Sequence, residues 1–279
     1  MSVELYRDTR AVLVESLWWD ADARAMRFAD ITAGLLHTAY LDGRDGAPIS
    51  VPPPLASFQP ASNGFVAALG DRVVLLDGAG TVTRELARVE HAEQLMRFNE
   101  GKCAPDGSFV VGSMSLRQPP VPDGAVYRIR ADGAVSVLAS GLGVANGFEW
   151  DDEYFYFTDT SVKTVYRQRA EGAPEPLLVG RSSDGLARDV EGCFWNGLYG
   201  EGSVVRWDAA GHVIDEVQIP APHVTSVAFG GTDLSTLYIG TARENLSERQ
   251  LEQYPLSGGV FALETSTRGF PVGSFSTQE

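Results

Sequence analysis

Residues 96–114 read MRFNEGKCAPDGSFVVGSM and contain three signals in succession. A polar cluster leads into a Pro-Asp-Gly turn at residues 105–107, and the turn leads into an apolar run that is typical of a β-strand. Charged groups beside a buried strand are costly unless they are paired, so we expect them to line a polar cavity. The alternative is an exposed loop with solvated charges. The polar side chains are Arg97, Asn99, Glu100 and Lys102.

The same order of signals recurs along the chain. A turn rich in Asp, Asn and Gly precedes an apolar run, and a short polar break then leads to a second run. The turns recur roughly every 40 residues, which is the repeat length of a four-stranded propeller blade. Six turns therefore predict an all-β fold, a six-bladed β-propeller. The turns lie at residues 20–22, 62–64, 105–107, 151–153, 190–192 and 231–233.

The runs that follow the turns have the composition of strands. The first run of a repeat is rich in aromatic and β-branched residues, and the second alternates apolar and polar residues. Helical patterns are nearly absent: residues 245–254 predict one short helix, whereas residues 85–96 are assigned to strand and loop. Residues 3–6 are predicted to form an outer strand of the last blade, which closes the ring.

The composition is that of an ordinary globular protein. The chain has 279 residues, of which 44% are hydrophobic and 21% charged, enough for one large domain spanning residues 1–279. The net charge of −15 repels phosphate backbones and acidic membranes, so neither nucleic acid nor a membrane is an expected partner. Such a surface suits a soluble protein and also favours a cation site.

The expected location is the cytoplasm. The first eight residues contain charges where a signal peptide needs an apolar core, and no run has the length of a membrane span. Cys103 and Cys193 lack metal-site spacing, and each lies beside a Gly-containing turn of its own segment. Both are therefore interpreted as reduced thiols.

Polar residues at the ends of innermost strands are expected to converge on the central channel of a propeller. Glu15 lies inside the apolar segment 12–19, Asn146 precedes the apolar part of the fourth repeat, and Asp184 precedes that of the fifth. Two carboxylates and an amide oxygen form an all-oxygen site for a divalent cation. Asn-Gly and Asp-Gly pairs are also common turn formers, so Asn146 and Asp184 have a plain alternative. A plain structural interpretation is harder to give for Glu15, because an apolar strand gives a carboxylate no reason to be there.

Several of these motifs together resemble the senescence marker protein/gluconolactonase/luciferin-regenerating enzyme family, which includes the regucalcin-like proteins. The resemblance spans nearly the whole chain, in order, and it implies a six-bladed propeller that holds one divalent cation in its channel and hydrolyses sugar lactones. The motifs are Glu15 with Trp18 and Asp20, then residues 97–102, 105–107, 112–114, 146–147, 156–159, 184–186, 191–192 and 225–231.

The resemblance also implies roles for individual residues. Glu15, Asn146 and Asp184 are the implied metal ligands, and Asp184 is the expected catalytic base for the attacking water. Arg97 and Asn99 are the implied contacts to substrate hydroxyls, together with Glu100, which stands where the family usually has Asp. The alternative for Arg97 and Glu100 is a purely structural ion pair. Leu17 replaces a frequent proline.

Some questions stay open at this point. An oxygen-rich site admits calcium, zinc, iron(II), manganese or magnesium, and neither the lactone nor the oligomeric state follows from the residues. A non-enzymatic propeller that binds calcium or a protein partner, with a structural cation, is the alternative function. Residues 116–122, which contain three prolines, are either a lid or a plain connection. The four histidines lack zinc-site spacing and are expected on the surface or in loops.

Overall fold

The computed structural model describes residues 2–277. Six four-stranded antiparallel sheets surround a central channel, and the innermost strand of each sheet contacts the innermost strands of its two neighbours. The predicted six-bladed β-propeller is confirmed. Each predicted turn joins the innermost strand of one blade to its second strand, because Asp, Asn and Gly adopt the local conformations that a tight reversal needs.

Five blades are continuous in sequence and run from the channel outwards, whereas the sixth combines both ends of the chain. The first strand, β1 (Val3–Arg7), forms the outer edge of blade six. Blade one contains β2 (Val14–Asp20), β3 (Ala25–Asp30), β4 (Leu35–Tyr40) and β5 (Ile49–Ser50); blade two contains β6 (Leu55–Ala61), β7 (Gly64–Leu69), β8 (Arg72–Leu76) and β9 (Val82–Arg88).

The remaining blades follow the same plan. Blade three contains β10 (Met96–Cys103), β11 (Phe109–Ser115), β12 (Gly124–Ile129) and β13 (Val135–Leu142), and blade four contains β14 (Ala145–Trp150), β15 (Phe155–Asp159), β16 (Thr164–Gln168) and β17 (Glu175–Val179). Blade five contains β18 (Ser183–Arg188), β19 (Phe194–Leu198), β20 (Ser203–Trp207) and β21 (Val213–Gln218), and blade six adds β22 (Val224–Gly230), β23 (Thr236–Thr241) and β24 (Val260–Glu264).

The ring closes as the sequence predicts. Strand β1 pairs antiparallel with β24, from Val3 opposite Leu263 to Arg7 opposite Val260. The Tyr6 hydroxyl also donates to the Ala39 carbonyl of blade one at 3.0 Å, so the N-terminal strand ties the last blade to the first. The pairing removes the free edge that β24 would otherwise expose.

The only α-helix in residues 2–277 is α1 (Glu248–Gln253), within the segment predicted to be helical. It begins with a capping box in which Ser247 and Gln250 each bond to the other's backbone. No helix within this part of the chain is long and apolar enough to cross a membrane. Residues 85–96 contain the end of β9 and a loop, as expected.

The hydrophobic core lies between the blades. Six separate apolar clusters fill the six interfaces between neighbouring blades. Between blades four and five, Phe194 stacks on Trp207 at 4.4 Å, and Tyr156 packs against Phe194 at the same distance. Truncating a buried ring of this size costs about 3–5 kcal/mol. Each blade is therefore held by its neighbours, which fixes the geometry of the channel.

Every innermost strand contains a one-residue register shift relative to its second strand. In β10 the shift lies between Phe98 and Gly101, and in β14 it lies between Asn146 and Glu149. A bulge of this kind leaves one extra residue unpaired and changes the direction of the neighbouring side chains. Most of the predicted site residues lie at or beside these bulges.

Beyond β24 the chain crosses one end of the channel, and we call residues 265–277 the C-terminal strap. On one side the Val190 N–H donates to the Arg268 carbonyl at 2.8 Å. On the other side the Phe275 N–H donates to the Pro60 carbonyl at 2.8 Å, and the buried Phe275 ring packs between blades two and three. The strap therefore links blade five to blade two across the channel.

Candidate functional site

Two predicted carboxylates, Glu15 and Asp184, lie on the innermost strands of blades one and five. Glu15 lies near the start of β2 and Asp184 near the start of β18, and each residue is 4% exposed. Glu15 Oε2 and Asp184 Oδ1 have no hydrogen-bond partner within the described residues. Burial raises the pKa of Glu15 well above its ordinary value, and the charges of Asp184 and Glu100 raise it further. The pKa of Asp184 is raised by burial and by the charge of Glu100.

Asn146 lies on the innermost strand of blade four, next to the blade that contains Asp184. It lies within β14 rather than in a turn, so the turn-forming alternative is wrong for this residue; Asp184 likewise lies within β18. Asn146 Nδ2 donates to Thr160 Oγ1 at 3.0 Å, and Asn146 Oδ1 accepts from Asn99 Nδ2. An amide oxygen has two lone pairs, so one acceptor position on Asn146 stays free. The two bonds fix which end of the amide is the acceptor.

Arg97 and Asn99 form the next part of this network on β10. The Arg97 guanidinium donates through Nη1 to Asn99 Oδ1 and to the Phe98 carbonyl, both at 2.8 Å. Asn99 Nδ2 also donates to the Ala145 carbonyl at 3.2 Å. Arg97, Asn99 and Asn146 are therefore one hydrogen-bonded chain, which holds the guanidinium in place and leaves its other N–H groups for a ligand.

Glu100 is directed differently from Asn99, because the two neighbours lie at the bulge of β10. Glu100 Oε2 accepts from the Gly147 N–H at 2.7 Å. Burial raises the pKa of Glu100 to about 6, against the lowering effect of the Lys102 charge. Within residues 2–277 Glu100 forms no ion pair with Arg97, so the structural pair considered from the sequence is absent; Lys102 pairs with Glu149 instead.

Four further residues form a connected cluster near this network and were not assigned to the site from the sequence: Tyr199, His223, Glu244 and Asn245. The charge of Glu244 is the largest influence that raises the pKa of Arg97, against the larger lowering effect of burial. Asn245 Nδ2 donates to the Tyr199 hydroxyl at 3.0 Å, and the Tyr199 ring stacks on His223 at 4.2 Å. Burial raises the pKa of Tyr199 to about 12, and the charges of Glu244, Asp184 and Glu15 act in the same direction.

These residues had a weak sequence signal. Tyr199 directly follows β19, and Glu244 and Asn245 come shortly after β23, so they occupy similar positions after the second strands of blades five and six. His223 precedes the innermost strand β22. Polar residues recur directly after the second strands of blades five and six. A search of these positions, in addition to those at the innermost strands, would have indicated this group.

The sequence matches the family model described as SMP-30/Gluconolactonase/LRE-like region over residues 13–243. The chain belongs to this family. A relative in the family, 6-deoxy-6-sulfogluconolactonase of Pseudomonas putida, is 36% identical over 93% of this chain and 93% of its own length. L-arabinolactonase of Azospirillum brasilense is 32% identical over 98% of this chain and 95% of its own length.

A solved family structure shares the fold along almost the full length. It is the calcium-binding protein regucalcin of Agrobacterium tumefaciens, with a TM-score of 0.91 and 26% identity over 99% of this chain and 97% of that chain. The expected membership of the family is therefore confirmed, including its regucalcin-like branch.

The donor set of this family member fits a hard cation. Glu15 and Asp184 bring buried oxygens without partners, and Asn146 brings a fixed amide oxygen. Within residues 2–277 no group of three His, Cys, Asp or Glu side chains has the arrangement of a metal site. The candidate set has only two acidic members, and its third member is the amide of Asn146. Cys103 and Cys193 are free thiols, as expected, and neither belongs to this set.

Proposed function

We propose that the chain, as one propeller domain spanning residues 1–279, is a divalent-cation-dependent lactonase that opens sugar lactones of the gluconolactone or pentonolactone type to aldonic acids. The observation that supports it best is the pair of buried carboxylates, Glu15 and Asp184, with unpartnered oxygens beside a fixed asparagine amide. Buried like charges are costly, and a bound cation offsets that cost. Relatives that are named as sugar lactonases support this substrate class.

The proposed ligands of the cation are Glu15, Asn146 and Asp184. When bound, a divalent cation supplies Lewis-acid polarisation of the lactone carbonyl. Calcium, zinc, iron(II), manganese and magnesium all suit an oxygen donor set. Metal analysis of the purified protein identifies the bound cation.

Asp184 is the proposed general base. One of its oxygens, Oδ1, has no partner in the described structure, and an ionised carboxylate can accept the proton of an attacking water. The water oxygen then bonds to the lactone carbonyl carbon and the ring C–O bond breaks. The proton taken up by Asp184 passes to the departing ring oxygen, which gives a carboxylic acid and a hydroxyl group and restores the Asp184 carboxylate. Arg97 and Asn99, already oriented by their mutual bond, are proposed to hold the sugar hydroxyls, with Glu100 as a further substrate contact.

The test combines metal analysis with a lactone panel. We expect protein stripped by a chelator to regain acid release from one or more aldonolactones when a divalent cation is added back. In Glu15→Gln a charge is lost with little change of shape, so metal content and turnover should fall together. Glu149→Gln is the matched control, because Glu149 is a channel carboxylate that is paired with Lys102. Full metal occupancy with wild-type turnover in Glu15→Gln would contradict the ligand assignment.

The second candidate is a non-enzymatic propeller with a structural cation. It is supported by the structural relative described as a calcium-binding protein. A rise in melting temperature on adding calcium, without turnover of any lactone in the panel, favours this alternative.

A further inference from the structure

A cavity lies in the channel on the side of the C-terminal strap, next to the candidate site. It has a volume of about 540 Å³ and is formed by the later halves of the innermost strands together with the C-terminal strap. We call it the lower chamber. Its lining includes Gln59, Lys102, Trp150, Arg188, Ser226 and Phe270. The volume lies within the range of pockets that hold small organic ligands.

The lower chamber contains polar groups that the protein does not pair. Gln59 is 3% exposed and its Oε1 has no hydrogen-bond partner within the described residues. Arg188 Nε and Trp150 Nε1 are buried donors that also lack partners there. The Lys102 ammonium bonds to Glu149 and to the Leu186 carbonyl, and the third of its N–H groups remains. Buried polar groups without partners are costly, so each favours a polar ligand or ordered water.

The charges lining the lower chamber favour a neutral ligand. Glu149 is paired with Lys102. The Asp151 carboxylate accepts a hydrogen bond from the Tyr156 hydroxyl at 2.6 Å, and the positive charge of nearby Arg188 contributes to lowering the pKa of Asp151. An anion would therefore meet Asp151 beside Arg188, as well as the Glu100 carboxylate, which also lines the cavity. The free groups include both donors and an acceptor, and a hydroxyl group satisfies both kinds.

The strap controls the open side of the lower chamber. Residues 270–273 line it, and within the described chain they form no backbone hydrogen bond, whereas residues 268, 269, 275 and 276 do. Phe270 is 51% exposed and lies over the Arg188 guanidinium at 5.5 Å. The strap is thus anchored by backbone hydrogen bonds on both sides and has none over residues 270–273, where Val272 packs against the apolar cluster between blades one and two.

We propose that the lower chamber is a second binding site, adjacent to the candidate lactonase site and bordered by Glu100, for a small neutral ring-shaped polyol such as a sugar. Aromatic side chains provide apolar faces for the ring carbons, and the unpaired amide oxygen, indole N–H and guanidinium N–H bind the hydroxyls. The middle of the strap is the entrance.

The test is calorimetric titration of the full chain with myo-inositol, a neutral ring polyol that has no ester to hydrolyse. We expect binding in the millimolar range, which is typical of a few hydrogen bonds on a small ligand. Gln59→Leu removes the unpaired acceptor at similar size and should weaken binding about fivefold or more. Asn99→Ala, which alters the candidate lactonase site, should leave the affinity unchanged. Gluconate, the anionic comparison, should bind more weakly to the lower chamber.

Each outcome decides the proposal. If the wild-type chain gives no binding heat, the lower chamber holds only water. If binding is lost in Asn99→Ala but not in Gln59→Leu, the polyol binds in the candidate lactonase site. Either result overturns the proposal. Should Gln59→Leu fail to fold, Arg188→Gln provides the second chamber variant. Because myo-inositol is not a lactone, the result is independent of whether the chain hydrolyses lactones.

Discussion

Replacing Glu100 by Gln tests the electrostatics of the channel directly. Burial raises the pKa of Glu100 from its ordinary value of 4.5 to about 6 in the folded protein, and a rise of this size corresponds to about 2 kcal/mol. A carboxyl group with a raised folded-state pKa stabilises the fold fully below its unfolded-state pKa. That contribution is lost as the pH rises through about 6.

The expected result is a pH-dependent difference between the two proteins. Near pH 4 both side chains are neutral, so the free energies of unfolding should be similar. Near pH 8 the wild-type chain buries a charge that Glu100→Gln lacks, so the variant should be more stable by about 2 kcal/mol. In a chain of this length this corresponds to a melting temperature about 5 °C higher. Relief of the repulsion between Glu100 and the Glu15–Asp184 pair acts in the same direction.

The assay is thermal unfolding of chelator-treated protein at both pH values, so that no bound cation offsets the buried charges. Glu93→Gln is the control of opposite sign, because the Arg117 hydrogen bond lowers the pKa of this exposed carboxylate. That variant should be slightly less stable than the wild type at high pH only. A constant difference in melting temperature between Glu100→Gln and the wild type at both pH values would refute the argument that burial penalises this charge.

Three further predictions concern the substrate contacts and the ring. Asn99→Ala should raise KM and lower kcat/KM about fivefold, as expected for one lost hydrogen bond. Thr160→Val, which removes the hydrogen bonds to the Asn146 amide and to the Ser183 carbonyl but leaves Asn99 in place, should leave KM unchanged; equal KM in both variants contradicts a substrate role. Glu100→Asp should change the preference among lactones of different ring size more than it changes cation affinity, and an unaltered lactone profile argues against Glu100 as a contact. Deleting residues 1–8 should lower the melting temperature by about 5 °C or more, because β24 loses its partner strand, and a truncated chain as stable as the full one would disprove the closure argument.

Local patterns in the sequence were sufficient for the architecture. The six turns are encoded by short stretches such as residues 105–107, whose conformational preferences act without distant contacts. The same holds for the start of α1, where Ser247 and Gln250 form the capping box within one turn of helix. The pairing of β1 with β24 followed from the need of a ring to close, because a propeller without such a strand would leave an open edge.

Only the tertiary structure decided where the polar side chains point. Asn99 and Glu100 are neighbours in sequence, yet one bonds to Asn146 and the other to the Gly147 N–H, because the bulge in β10 depends on its register with β11. The sequence contains no local signal for a one-residue shift of this kind.

The contacts between segments that are distant along the chain also could not be predicted from the sequence. Glu244 lies close enough to Arg97 and to Tyr199 for its charge to raise both pKa values, and the C-terminal strap lines the lower chamber. These contacts join segments that are far apart along the chain. Turn and strand preferences act over a few residues, whereas the channel is defined by how six blades pack together. The sequence by itself therefore determined the blades and their order, and the packing of the blades determined which side chains share a site.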